Sequence, residues 1–174
     1  MGKLALRGLV LAAVIALLGV GSYAIAGGGT KNFTGSLEGY QENPDVSTGA
    51  SGSFEARLSN DGDSLHYVLS YSGIEGGTVS AAHVHFGKPG VNGGVSYFLC
   101  GGGRPACTTP SGTFEGDVVA TNVTGPAGQG IAAGQFDEIV AAMRAGRAYA
   151  NVHSTTFPGG EIRAQINNRG EADD

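Results

Sequence analysis

Phe54, Ala56 and Leu58 alternate with Glu55 and Arg57, a period of two that sends apolar side chains to one face of an extended strand and charges to the other. Leu65, Tyr67, Leu69 and Tyr71 resume the same period after Asn60-Asp61-Gly62-Asp63, whose residues suit a tight turn. The two runs predict a hairpin. Further short strands are predicted at Phe33 to Tyr40, Ser80 to Phe86, Val95 to Cys100, Thr113 to Val119, Arg147 to His153 and Glu161 to Ile166, each bounded by Gly, Pro, Asn or Ser. One segment has helical spacing instead. From Gln135 to Ala145 the apolar residues Phe136, Ile139, Val140 and Met143 fall at i, i+3, i+4 and i+7, acids Asp137 and Glu138 open the first turn, and Arg144 closes the last before Gly146. Gln41 to Gly49 and Thr121 to Gly134 carry no period and read as loops, and the polar tail Asn167 to Asp174 is expected to fray. Eight short strands with one helix predict an all-β Greek-key sandwich or barrel.

The first residues stand apart from this pattern. Lys3 and Arg7 precede an apolar run from Leu9 to Val20 that closes on Ala24-Ile25-Ala26, the order of a secretory signal peptide, so residues 1–26 are expected to be removed. The run is short for a membrane-spanning helix, and no membrane association is expected after cleavage. Residues 27–174 then form a single domain, large enough for its own core. Losing Lys3 and Arg7 takes the formal charge from −5 to −7, and no basic run is left to neutralise a phosphate backbone, which excludes nucleic acid as a partner. The chain is read as exported, to the periplasm or beyond. In that setting Cys100 and Cys107, separated by Gly-Gly-Gly-Arg-Pro-Ala, are expected to form a disulfide; they lack the Cys-x-x-Cys spacing of redox or zinc motifs.

The chemistry gathers in two stretches. In AAHVHFGKPGVNGGVSYFL, His83 and His85 flank Val84. Residues i and i+2 of a strand share a face with Cα atoms about 6.6 Å apart, so both imidazoles project together and can converge on one ion. Alone, such a pair reads more readily as two half-buried strand histidines satisfied by backbone carbonyls and acids. A third histidine, His153 in YANVHSTTFPGGEIRAQI, ends another predicted strand just before Pro158-Gly159-Gly160 and completes the minimum set for an open metal site. The ring nitrogens of His83, His85 and His153 are then expected within roughly 3–5 Å of one another. After that turn Glu161, Arg163 and Gln165 share the polar parity. Glu161 is expected to accept from an imidazole and fix its tautomer, or else to form a surface ion pair, and Arg163 to bring positive charge close by. His66 lies between Leu65 and Tyr67 and is expected to face solvent.

The same stretches, through His83-x-His85-x-Gly87, Gly90-x-Asn92-Gly93, and Asn151-Val152-His153 with Pro158-Gly159-Gly160-Glu161-Ile162-Arg163, resemble the CHRD domain, in its form as a single exported bacterial domain. Ala164 and Gly94 depart from residues the family often has there. The resemblance implies an immunoglobulin-like or superoxide-dismutase-like β-sandwich but no established reaction. Through a distant similarity to copper/zinc superoxide dismutase it also implies that His83, His85 and His153 look like copper ligands, while the zinc-site residues of that enzyme have no counterpart. Three functions follow as expectations: a binding module with one copper or zinc ion, a copper-dependent dismutase-like enzyme, or a metal-free adhesive domain with an extracellular protein or matrix partner.

Overall fold

The computed structural model describes residues 30–169, so the predicted signal peptide and the acidic end of the tail lie outside the described residues. The predicted strands all form: β1 (Asn32–Glu38), β2 (Ser51–Leu58), β3 (Leu65–Ser72), β4 (Val79–Phe86), β5 (Gly94–Cys100), β6 (Gly112–Val118), β7 (Ala148–Ser154) and β8 (Ile162–Gln165). The helix, α1, runs Phe136–Arg144, with Asp137 and Glu138 in its first turn and Arg144 in its last. A ninth strand, β9 (Asn167–Arg169), corrects the expectation of a frayed tail. β8 pairs with β1 only at Glu38↔Arg163, which leaves Asn32, Phe33 and Thr34 with open backbone groups, and Arg169, Asn168 and Asn167 pair with them. A polar composition does not prevent a backbone from completing a ladder.

The strands hydrogen-bond in the order β5-β4-β7-β8-β1-β2-β3-β6, all antiparallel, and form a nearly closed barrel. Around it, β3 to β6 lie in the spatial order β3-β6-β5-β4, a Greek key. The β2–β3 hairpin turns on Gly62, whose φ of 84° suits a residue without a β-carbon. Phe33, Phe54, Leu69, Val84, Leu99, Val152 and Ile162 are among the fully buried residues of the interior, each contributing about 1.5–3 kcal/mol through the apolar area it removes from water. Tyr67 crosses from β3 to donate its buried hydroxyl to Leu99 O on β5 (2.7 Å). The stripe Phe136, Ile139, Val140 and Met143 of α1 is buried, with Met143 against Tyr97.

The two halves of the barrel differ in their outer faces. β2 alternates buried and open positions, leaving Glu55 and Arg57 exposed, whereas every residue of β7 is buried. Segments 39–49, 87–93 and 155–160 lie over the outside of β4, β7 and β8, tied down by Gln41, Gly93 and Pro158. The sheet therefore has a second buried layer, and it is polar.

Cys100 at the end of β5 is bonded to Cys107. A closed loop this short constrains the unfolded chain by about 2.5 kcal/mol in the chain-entropy account. Reduction is expected to lower the unfolding free energy by about that amount, measured as urea unfolding with and without a thiol reductant.

Candidate metal centre

The ladders place the three histidines. β4 and β7 pair His83 with Asn151 and His85 with Tyr149, and β7 and β8 pair Asn151 with Arg163. Ala82, Val84, Ala150 and Val152 of the other parity point into the core, so His83, His85, Tyr149, Asn151, His153 and Arg163 share the outer, covered face. Ring centroids are 5.3 Å apart for His83 and His85, 4.7 Å for His83 and His153, and 6.0 Å for His85 and His153. One nitrogen from each ring can be chosen so that all three lie within 4.8 Å of one another, inside the roughly 3–5 Å expected and a few tenths of an ångström beyond the roughly 4.2 Å that two ligands of one ion can span, so small ring movements would bring them to ligand spacing.

Backbone carbonyls set the imidazoles. His85 Nδ1 donates to Gly93 O (3.0 Å), leaving Nε2 buried without a hydrogen-bond partner. His83 packs edge-on against Phe98, and its Nδ1 is likewise buried and unpartnered. His153 Nδ1 donates to Pro158 O (3.0 Å), while its Nε2 lies 2.9 Å from Asn151 Oδ1. Burial pushes the His83 imidazole down to about 3, helped by His153 and His85. Burial takes His85 to about 4 against the opposing pull of Gly93 O, and it lowers His153 as well. All three rings are therefore neutral at neutral pH, the state in which a ring nitrogen offers a lone pair to a cation. His83 as a whole residue is only partly covered, although its Nδ1 is buried.

Arg163 is 1 % exposed and sits with Cζ 3.4 Å from the centre of the Tyr149 ring, whose other neighbour is the parallel His85 ring at 4.7 Å. Its guanidinium donates to Lys88 O and Val91 O (3.1 Å each), which fastens segment 87–93 over the site. The positive charge expected from Arg163 thus lies behind Tyr149, and its one effect on the cluster is a small lowering of the His85 imidazole. Glu161 takes a different position from the one beside an imidazole expected of it. Its carboxylate accepts from Thr48 Oγ1 (3.0 Å), Glu75 N (2.8 Å) and Gly76 N (3.1 Å). The β7–β8 ladder ends at Val152↔Ile162, so strand parity no longer holds Glu161 on the face of His153. His66 is exposed and pairs with Asp117 (3.0 Å), apart from the cluster.

Three contributors were not picked out from sequence: Tyr149, Asn151 and Glu42. Tyr149 and Asn151 share the parity of His153, and that signal was available. Glu42 lies in the segment read as loop and is 5 % exposed; burial raises its carboxyl to about 7, against the opposing influence of Arg163 and Asn151.

A family model described as CHRD domain matches residues 33–166, which include every strand from β2 to β8 and all residues of the site. Comparison with curated proteins and with solved structures gives no match.

Proposed function

Since the chain belongs to the CHRD domain family, and since His83, His85 and His153 converge on its covered face, we propose that it is a metal-binding module that takes one copper or zinc ion on these three imidazoles. The observation that carries the reading is the pair of buried, unpartnered ring nitrogens, His83 Nδ1 and His85 Nε2, in a cluster whose ligand atoms lie within 4.8 Å of one another. A buried polar atom without a partner costs about 1–3 kcal/mol, and a cation that met both would remove that cost. Nitrogen-rich sites bind Cu²⁺ more tightly than Zn²⁺, so copper is favoured wherever the compartment supplies both. The module works outside the reducing cytosol, consistent with the Cys100–Cys107 bond. Among the described residues no helix is long and apolar enough to cross a membrane.

Elemental analysis after loading with Cu²⁺ or Zn²⁺ and removing the excess tests this. The wild-type chain is expected to retain about one ion and His83→Ala none, and the loaded wild type is expected to melt higher, because a ligand that prefers the folded state stabilises it by mass action. Equal metal contents in the two proteins would overturn the reading.

A further inference from the structure

We infer that Asn151 supplies a fourth protein ligand to this metal site through Oδ1, and that Glu42 is the positioning residue that aims it; the inference rests on the metal-binding reading above. Asn151 occupies the middle of the covered face, paired across one ladder with His83 and across the other with Arg163. Its Oδ1 is 2.9 Å from His153 Nε2.

The proton count at His153 is what singles this contact out. Pro158 O can only accept, so the hydrogen of the neutral ring is on Nδ1 and Nε2 carries a lone pair. Asn151 Oδ1 also carries lone pairs, so two acceptors face each other at 2.9 Å with no hydrogen between them. Such a contact repels unless a cation shares it. Two ligands at 2.0–2.1 Å from one ion and at a right angle to each other lie about 2.9 Å apart, so a spacing unsuited to two acceptors suits two neighbouring ligands.

Rotating the amide by half a turn would offer N–H to His153 instead, and Glu42 opposes that rotation. Asn151 Nδ2 and the Glu42 carboxyl lie on either side of Gly160, and Glu42 Oε1 is buried without a hydrogen-bond partner of its own. Both groups close around Gly160, at φ 130°, where an added β-carbon would come within 2.7 Å of Asn151 Nδ2 and would also collide with Glu42 Oε1. With Glu42 ionised, a rotated amide would set its oxygen against the carboxylate. Glu42 thus has a reason to be buried at that place, and the resulting donor set is three imidazole nitrogens and one amide oxygen. Four ligands close a tetrahedral zinc site but leave tetragonal copper a position for a further ligand.

The full-length chain and Cu²⁺ test this by chelator competition and by the electron paramagnetic resonance spectrum of the bound ion. Asn151→Leu keeps the volume and Asn151→Ala leaves room, so misfolding of one, judged by thermal melting, leaves the other to be read. Either is expected to bind at least about tenfold more weakly than wild type with an altered copper spectrum. Glu42→Ala is expected to weaken binding and alter the spectrum, and Glu42→Gln, which keeps an acceptor oxygen for the amide, to restore both. Wild-type affinity and spectrum in the Asn151 variants, with His153→Ala losing the metal, would overturn this inference and leave the three-histidine site standing. Tighter binding in those variants would make Asn151 a competitor of the metal and overturn it too. A wild-type chain that binds no Cu²⁺ would remove the site and the inference together.

Discussion

Replacing Glu161 by Ala is expected to lower the unfolding free energy by about 3–5 kcal/mol, a large fraction of what a domain of this size has. Its carboxylate is fully buried and is the acceptor for Glu75 N, Gly76 N and Thr48 Oγ1. Truncation strands Gly76 N in a buried position and leaves Glu75 N and Thr48 Oγ1 part-buried without this acceptor, and a group left buried without a partner costs about 1–3 kcal/mol. Gly76 is itself buried, with its backbone close against Ser154 and Phe157, so water has little room to replace the lost oxygens. Glu161→Gln keeps one acceptor oxygen and turns an NH₂ group toward the remaining donors, so about half the loss is expected. Urea unfolding of metal-free protein reads both values. A loss below about 1 kcal/mol for Glu161→Ala would show that the carboxylate does not hold these segments together.

The position of Glu161 also marks how far the sequence carries. Phe54, Ala56 and Leu58 announce a strand because one face of β2 is core and the other is water, and a period of two follows directly from that difference. The same reasoning put His83, His85 and His153 on matching faces, and their convergence needed only that β4 and β7 be neighbours. It stopped where the second buried layer begins. Tyr149, Asn151 and His153 look like the wet side of an ordinary strand, yet β7 is covered on both faces by segments with no periodicity of their own. Glu42 and segment 87–93 reach the site through contacts distant in sequence, among them Arg163 to Lys88 O and Val91 O, which leave no local pattern. β9 was missed for a related reason, since its pairing satisfies backbone groups of β1 whatever its own side chains are.

In the absence of metal, stability is expected to be greatest at about pH 7–8 and to fall on the acid side by roughly 3 kcal/mol from His85 alone. An unfolded imidazole takes up a proton below its ordinary value of 6.5, while folded His85 stays neutral to about 4 and folded His83 to about 3. Between those limits the unfolded chain binds more protons, so stability drops as pH falls from 6.5 and the loss is complete only below the folded values. Glu42 acts with the opposite sign. Its carboxyl is raised from 4.5 to about 7, so the folded chain holds that proton longer, and the stability this brings is full below 4.5 and lost as pH rises through 7. From 4.5 to about 7 the three histidines outweigh the single carboxyl, because an unfolded imidazole is still about a quarter protonated at pH 7; above that the two effects nearly offset each other and the curve flattens. Urea unfolding across pH 3.5–8 reads the profile. His85→Gln is expected to make the acid limb shallower, since His83 and His153 still contribute, and Glu42→Gln to steepen it between about pH 5 and 7 by removing the opposing carboxyl. An acid limb as steep in His85→Gln as in wild type would mean that carboxylates elsewhere, and not the buried imidazoles, drive acid unfolding.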